Sequence, residues 1–494
     1  MNTENINILI FGCSKRAEGI ENIIENMKKV SIIGYVDNDD KKWGTYYFNK
    51  KVYSPDDAYA IYSQNESVCF LIAPFNYMPI YKQLKSMGVN RIYVNVFELL
   101  DSFASFNPII GDLNINNGNK ILLIGNGGLP REDELYRSGF IYRRMVAYKN
   151  NGVELDAYGY IPVMGINKYE YEGNIIYEGD GYGLSYLMSR NNYSKILLHF
   201  PTEEILYFIE KYIGKTCKVY IWLHGFEVLN WERRVFNYSE EEIQENYTKL
   251  MKQNKDKKDF FSRIFQKNNY SFVFVSNWLK DVVEEDIGVL PRNYRIIPNY
   301  IDEELFSYHE KKSTDAAKVL LVKSNKTRMY ANDIAAKAIE SLADRECFEH
   351  MEFNIYGDGK LFYDNYKELI EKNYPNVHIH KRFLKQSEIA KLHKSHGIFL
   401  CPTRQDTQGV SMCEAMSSGL VVVTNKVAAV PEYIDDTVGI LCDYEDYLGM
   451  ADAIERLYYD RDLFLQYSKK APGFIREKCG FANTIQKELD MINE

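Results

Sequence analysis

The chain has 494 residues, enough for about three domains of ordinary size. Its 46% hydrophobic and 26% charged residues exclude collagen-like, coiled-coil and wholly disordered readings. Sixty Lys and Arg against 69 Asp and Glu leave a net charge of -9, without the basic footprint of a general nucleic-acid binder, so no nucleic acid is expected as a partner.

No apolar run approaches the roughly 20 residues that span a bilayer. The opening MNTEN lacks the charged-then-apolar pattern of a signal peptide, which gives a cytoplasmic expectation. The eight cysteines, scattered from Cys13 to Cys479, form no C-x-x-C pair and are expected as reduced core thiols rather than disulfides or zinc ligands. No metal site is expected.

Short apolar runs bounded by Gly, Pro, Asn or Asp alternate with amphipathic stretches of helical period, the pattern of an α/β protein with parallel sheets. Strands are expected over 6–11, 31–36, 68–73, 91–96, 120–124, 155–160, 195–200, 218–223, 272–275, 295–297, 318–322, 352–356, 377–380, 397–400 and 419–423. Three sheets accommodate them better than one. In 1–105, NILIFGCSKRAEGI followed by SIIGYVDNDD has the outline of a Rossmann-like dinucleotide-binding domain. Gly12 and Asp37 are its nucleotide candidates, one for close backbone approach to a pyrophosphate and one for a ribose. Cys13 and Ser14 stand where the second glycine of the fingerprint belongs, so a tight turn at Gly12 and a solvated acidic loop at 37–40 is the equal alternative. The polar stretch 101–119 contains the linker, 106–119.

The segment 401–425, CPTRQDTQGVSMCEAMSSGLVVVTN, reads as a buried strand, a polar loop with Gly409, a helix from about Val410, and a second buried strand. Ligands of open α/β sheets sit outside the carboxyl ends of the strands, where this loop must lie. The N–H groups that open the helix can hold phosphate. Asp406 and Glu414 are placed to share a sugar nucleotide, each accepting hydrogen bonds from a vicinal diol.

This segment resembles the E-x7-E signature of retaining GT-B glycosyltransferases of family 4, with Asp406 at the first acidic position and Glu414 at the second. The resemblance runs over 120–494 and includes KILLIGN, Ser138-Gly139-Phe140, His224-Gly225, Ser276, Asn299 to Asp302, the Gly357-Asp358-Gly359 turn and Pro431-Glu432. It implies an acceptor lobe at 120–305, a nucleotide-sugar donor lobe at 306–475, and a C-terminal helix over 476–494 packing back on the first lobe. It implies a hexosyltransferase-type enzyme with no cofactor and no required metal. Lys323 and Arg328 would grip the donor diphosphate, and Gly357, Gly409 and Val410 would shape the donor side. Asp406 would contact the donor sugar, Glu414 the ribose, and His224 the reacting centre, with Ser138 and Gly139 on the acceptor side. The chain departs from the family pattern at Asp406, at Ser138, at Ala428-Ala429 and in the exchanged order of Lys323 and Arg328.

The expected partners are a nucleotide-sugar donor and a glycan, lipid-linked or protein acceptor in bacterial surface polysaccharide synthesis. The segment 249–267 counts seven Lys or Arg against two Asp, with Phe260, Phe261, Ile264 and Phe265 at helical spacing. That pattern suits peripheral contact with the inner face of the cell membrane, or a solvated helix whose aromatic residues pack on the first lobe. Two other functions compete: a non-catalytic GT-B scaffold supporting another transferase, and a sugar-nucleotide oxidoreductase driven by residues 1–105. The oxidoreductase lacks an intact glycine fingerprint and a placed Tyr-x-x-x-Lys.

Overall fold

A computed structural model describes residues 6–14, 30–74, 77–94, 120–135, 137–162, 166–213 and 217–494, together with Ala17, Ile20, Glu21 and Ile24. The expected linker lies outside the described residues. The chain divides into one unit of Met1–Lys120, Asp156–Ser194 and Thr202–Thr216, and another of Ile121–Leu155, Lys195–Pro201 and Cys217–Glu494.

In the first unit, the apolar runs Ile6–Phe11 (β1), Val30–Val36 (β2) and Val68–Ile72 (β5) make a sheet with Tyr46–Tyr47 (β3), Lys50–Tyr53 (β4) and Ile92–Tyr93 (β6). Its order is β3-β4-β2-β1-β5-β6, parallel apart from the β3–β4 hairpin. β5 is buried along its whole length, as a central strand covered on both faces must be. The hairpin was not among the expected strands, because YY and KKVY carry no apolar run. The same unit holds β8 (Leu155–Tyr160), β9 (Ile166–Tyr171) and β10 (Asn174–Gly179); β10 runs parallel to β8 and antiparallel to β9. Glu172 and Gly173, both at positive φ, close that second unexpected hairpin.

In the second unit β7 (Lys120–Asn126), β11 (Tyr193–His199), β12 (Lys218–Leu223), β13 (Tyr270–Phe274) and β14 (Tyr294–Ile296) lie in the order β14-β13-β12-β11-β7. A further sheet of β15 (Lys318–Val322), β16 (Glu352–Gly357), β17 (Val377–Lys381), β18 (Ile398–Leu400), β19 (Val421–Asn425) and β20 (Ile440–Cys442) is parallel throughout. Its order, β17-β16-β15-β18-β19-β20, is the doubly wound arrangement, and the strand order reverses between β15 and β18. A crevice opens outside the carboxyl ends of the strands at such a switch point. Separate apolar clusters cover the two faces, one around Leu321 and Ile339 and the other around Leu320 and Met416.

The chain ends in a helix, Ile485–Asn493, whose Glu488 is fully buried. Glu488 accepts from Arg144 Nε, on the helix Gly139–Asn150, at 2.9 Å to each carboxylate oxygen, from Tyr148 Oη at 2.6 Å and from Trp222 Nε1 at 3.0 Å. This four-residue network fastens the C-terminal helix to the β12 side of the unit.

The basic segment 249–267 lies mostly on the helix Glu240–Ile264. Phe261, Ile264 and Phe265 are buried within the unit, Phe265 edge-on to Phe272 of β13 at 4.8 Å. Of the two readings of this segment, the burial supports the packed helix: its apolar face is spent on the protein's own sheet. The charges on the outer face are partly matched by Lys252–Asp256 and Lys255–Asp259 pairs at 2.7 Å.

Candidate functional site

A cavity of about 470 Å³ opens in the second unit at the switch point, lined from both of its sheets. Lys323, the first residue after β15, lines it with only 6% of its surface exposed. Its Nζ stands 5.2 Å from the centre of the Tyr330 ring, and among the described residues no carboxylate lies within ion-pair distance. The turn that carries Lys323 rests on two glycines. A Cβ on Gly357 would come 2.1 Å from the Lys323 carbonyl oxygen, and one on Gly359, at φ +145°, 2.3 Å from the Asn325 backbone. Only glycine permits that approach.

From the β18 side the loop 401–409 leads into the helix Val410–Ser417, with Gly409 at φ +81°. Asp406 Oδ1 accepts from the backbone N–H groups of Gln408 at 3.1 Å and Gly409 at 2.7 Å, holding the loop against the start of the helix. Glu414 faces the cavity from that helix, and its Oε1 accepts from Gln386 Nε2 at 3.3 Å. Burial pushes its carboxyl up to about 8; Arg143 and Lys323 pull downward and Asp302 upward. Gln386 also accepts from Arg143 Nε at 2.5 Å, so one amide joins an arginine on one wall to the glutamate on the other.

The opposite wall begins at Ser138, in the left-handed region at φ +38°, and Gly139, the first residue of its helix. A Cβ on Gly139 would meet the Gln386 side chain at 3.6 Å. His224 lies behind, its Nε2 3.0 Å from His199 Nδ1, with the two rings stacked 5.3 Å apart and Phe200 at 4.4 Å. Burial, reinforced by Arg144, holds both imidazoles well below the ordinary histidine pKa, so the pair is neutral and shares one ring N–H. His199 is therefore the partner that fixes the His224 ring.

The structure brings Ser138, Gly139, His224, Lys323, Asp406, Val410 and Glu414 to one cavity. Gly409 and Gly357 shape its backbone without lining it. Arg328 opens the turn Arg328–Tyr330, is exposed, and is not among the residues that line the cavity. Gln386, Arg143 and Arg234 were missed, since none sits in a motif and Arg143 meets Gln386 across 243 residues of chain.

In the first unit, Gly12 is at φ +101°, and a Cβ there would strike the Pro74 ring at 2.5 Å. Asp37 accepts from Cys13 N at 3.0 Å, Asp39 N at 3.0 Å and Lys42 Nζ at 2.9 Å. Burial works to raise its pKa, but these donors outweigh it and hold the carboxyl below its ordinary range. These contacts support the turn-forming alternative for both residues: the glycine makes room for a proline, and the carboxylate ties the turn after β1.

Residues 317–460 match the model of glycosyl transferases group 1, and residues 4–93 match the C2185-like N-terminal model. Among solved structures the chain is similar to sucrose-phosphate synthase from Thermosynechococcus elongatus, with a TM-score of 0.61 and 12% identity over 76% of this chain and 98% of that one. It is also similar to an Anabaena protein, HepE, solved with UDP and glucose, with a TM-score of 0.52 and 13% identity over 76% of this chain and 100% of that one. These structures show that the chain has a GT-B fold, and residues 317–460 are similar to the group 1 glycosyl transferases. A curated relative, N-acetyl-alpha-D-glucosaminyl L-malate synthase of Bacillus anthracis, is 31% identical over 108 residues, which are 21% of this chain and 28% of that protein. The GT-B cleft is thus the cavity between the two sheets of the second unit.

Proposed function

We propose that this GT-B protein is a metal-independent retaining hexosyltransferase that takes its sugar from a nucleotide-diphosphate donor. The observation that carries the reading is Lys323: a buried ammonium without a carboxylate partner among the described residues, lining a cavity at the switch point of a doubly wound sheet. Burying such a charge costs free energy unless an anion joins it, and the diphosphate of a donor supplies one. The opening N–H groups of Val410–Ser417 add positive potential from a second direction. As the bond to the anomeric carbon breaks, negative charge grows on the leaving diphosphate, where Lys323 and the helix start stabilise it more than they stabilise the bound donor. Glu414 accepts two O–H bonds from the ribose diol, which favour its ionised form and offset the burial that raises its pKa. Asp406, one oxygen committed to its own loop, offers the other to the donor sugar. His224, neutral and fixed by His199, orients the acceptor at the reacting carbon.

The HepE structure contains UDP and glucose, and the Bacillus relative is named for an N-acetylglucosaminyl product. Uridine diphosphate sugars of these two kinds head the donor panel, with acceptors of surface-glycan assembly to follow. The test incubates purified protein with nucleotide sugars in chelator and measures released nucleoside diphosphate and the anomeric configuration of the product, beside Glu414→Ala. Metal-free release from one donor, lost in the variant, with a retained anomer, is the expected result. An inverted product overturns retention. Absence of both donor binding and turnover overturns the enzyme reading in favour of a GT-B scaffold.

A further inference from the structure

Two adjacent arginines after β12 have opposite surroundings. Both lie in the segment Trp231–Asn237, which leaves helical geometry at Arg234, with φ -134° and ψ 32°. Arg233 is neutralised by a bidentate contact with Asp286 at 2.9 Å and by Glu285 at 2.6 Å. Arg234 instead donates from Nε to the Gln405 amide oxygen at 3.2 Å and from Nη2 to the Gly225 carbonyl at 2.8 Å. Both acceptors are neutral, and among the described residues no carboxylate lies within ion-pair distance of Arg234.

Arg234 lines the cavity, and so does Phe226, whose ring centre is 4.8 Å from the guanidinium carbon and which is 76% exposed. Glu227, an acid whose charge acts on Arg234, is half-buried, accepts on Oε1 from His224 N at 2.6 Å, and has its pKa raised by that burial. Lys257 Nζ donates to the Leu229 carbonyl at 2.6 Å; burial first and Arg234 second pull it down to about 8. The wall opposite Lys323 therefore carries its own positive charge, held by a side chain whose planar fork suits a second oxyanion.

Resting on the reading of Lys323 as the donor-diphosphate group, we infer that Arg234, with Phe226 beside it, receives a phosphate or carboxylate carried by the acceptor. The cleft then holds two anions, one on each wall. The guanidinium fixes the charged end of the acceptor, and Phe226 covers its apolar or sugar face at the cavity mouth.

Calorimetry on the full chain tests this. The nucleoside diphosphate that binds is found first; inorganic phosphate and malonate are then titrated separately into protein saturated with it, which distinguishes a phosphate acceptor from a carboxylate one. At least one is expected to bind the wild type. Arg234→Gln is expected to weaken that binding by about tenfold or more, while leaving nucleotide affinity within about twofold. Lys323→Ala is expected to show the opposite pattern, and Arg234→Lys to fall between wild type and Arg234→Gln. Thermal melts establish that each variant is folded, and if Arg234→Gln is not, Arg234→Lys decides. Failure of both oxyanions to bind, equal binding by the Arg234 variants and wild type, or joint loss of nucleotide and oxyanion in an Arg234 variant would overturn the inference. If no nucleoside diphosphate binds, the donor reading falls, and the same titrations on the free chain still decide whether Arg234 holds an oxyanion.

Discussion

Glu414 retains a proton in the folded chain at pH values where an unfolded glutamate has lost it, because burial holds its carboxyl up to about 8. Between the ordinary value of 4.5 and about 8 the folded state binds more protons than the unfolded state, so this group lowers stability as the pH rises and adds no further loss above that range. Glu414→Gln is expected to remove a penalty on the order of 2–4 kcal/mol at pH about 9 and nearly none at pH about 4. Urea unfolding of both proteins at the two pH values checks it, and equal differences at both would contradict the burial argument. Glu488 is the opposite case, a buried carboxylate with its countercharge in place: Arg144 at 2.9 Å, both side chains fully buried. Glu488→Ala strands the Arg144 charge and is expected to cost about 3–5 kcal/mol in the same unfolding measurement. Replacing both by apolar residues of similar volume is expected to cost far less, since the desolvation penalty goes with the charges.

At the scale of elements, the turn after β15 depends on the absence of a side chain on β16. Gly357→Ala places a Cβ 2.1 Å from the Lys323 carbonyl oxygen, a backbone atom that cannot swing aside. The expected result is a loss of about 1–3 kcal/mol in stability together with weaker nucleoside diphosphate binding, read by thermal melt and calorimetry. Gly473→Ala, on the helix Arg461–Cys479 with nothing within 4 Å, is the control and is expected to stabilise by up to about 1 kcal/mol. The buried parallel strands were legible in the sequence because strands covered on both faces carry apolar runs, as VCFLI and the three valines that open VVVTN do. The β3–β4 and β9–β10 hairpins were not, since INKYEY and KKVY mix polar and apolar residues without a run. The aromatic stripe on Glu240–Ile264 was visible by its period, which says that a face is covered and not by what. Lys323 and Glu414 were legible because each sits at a strand end or helix start that sequence locates. Gln386 was not, because its place in the cleft is set by a contact with Arg143 that no local pattern encodes.

At the scale of the whole molecule, the two walls of the cleft are stitched by polar contacts. Gln408 Nε2 donates to the Asn299 carbonyl at 2.9 Å, Thr407 Oγ1 to the His224 carbonyl at 3.1 Å, and Gln405 Nε2 to the Arg233 carbonyl at 3.1 Å. Glu432 adds a charged contact at the start of the helix Asn277–Ile287, accepting from Asn277 N at 3.0 Å and Trp278 N at 2.6 Å. A carboxylate at a helix N-terminus contributes on the order of 0.3–2 kcal/mol, enough to shift an open–closed equilibrium by up to roughly thirtyfold without holding the protein shut. Transfer to an acceptor needs the walls together, because water in an open cleft would take the sugar instead. Glu432→Ala is therefore expected to lower the transfer rate by up to about thirtyfold, and to raise the share of donor lost to hydrolysis, while donor affinity changes less. Product analysis with limiting acceptor, beside small-angle scattering of the nucleotide-free and nucleotide-bound chain, separates the cases. A larger radius of gyration in the variant that contracts when nucleotide binds supports closure through this contact. An unchanged radius with unchanged partition between transfer and hydrolysis makes Glu432 only a helix cap.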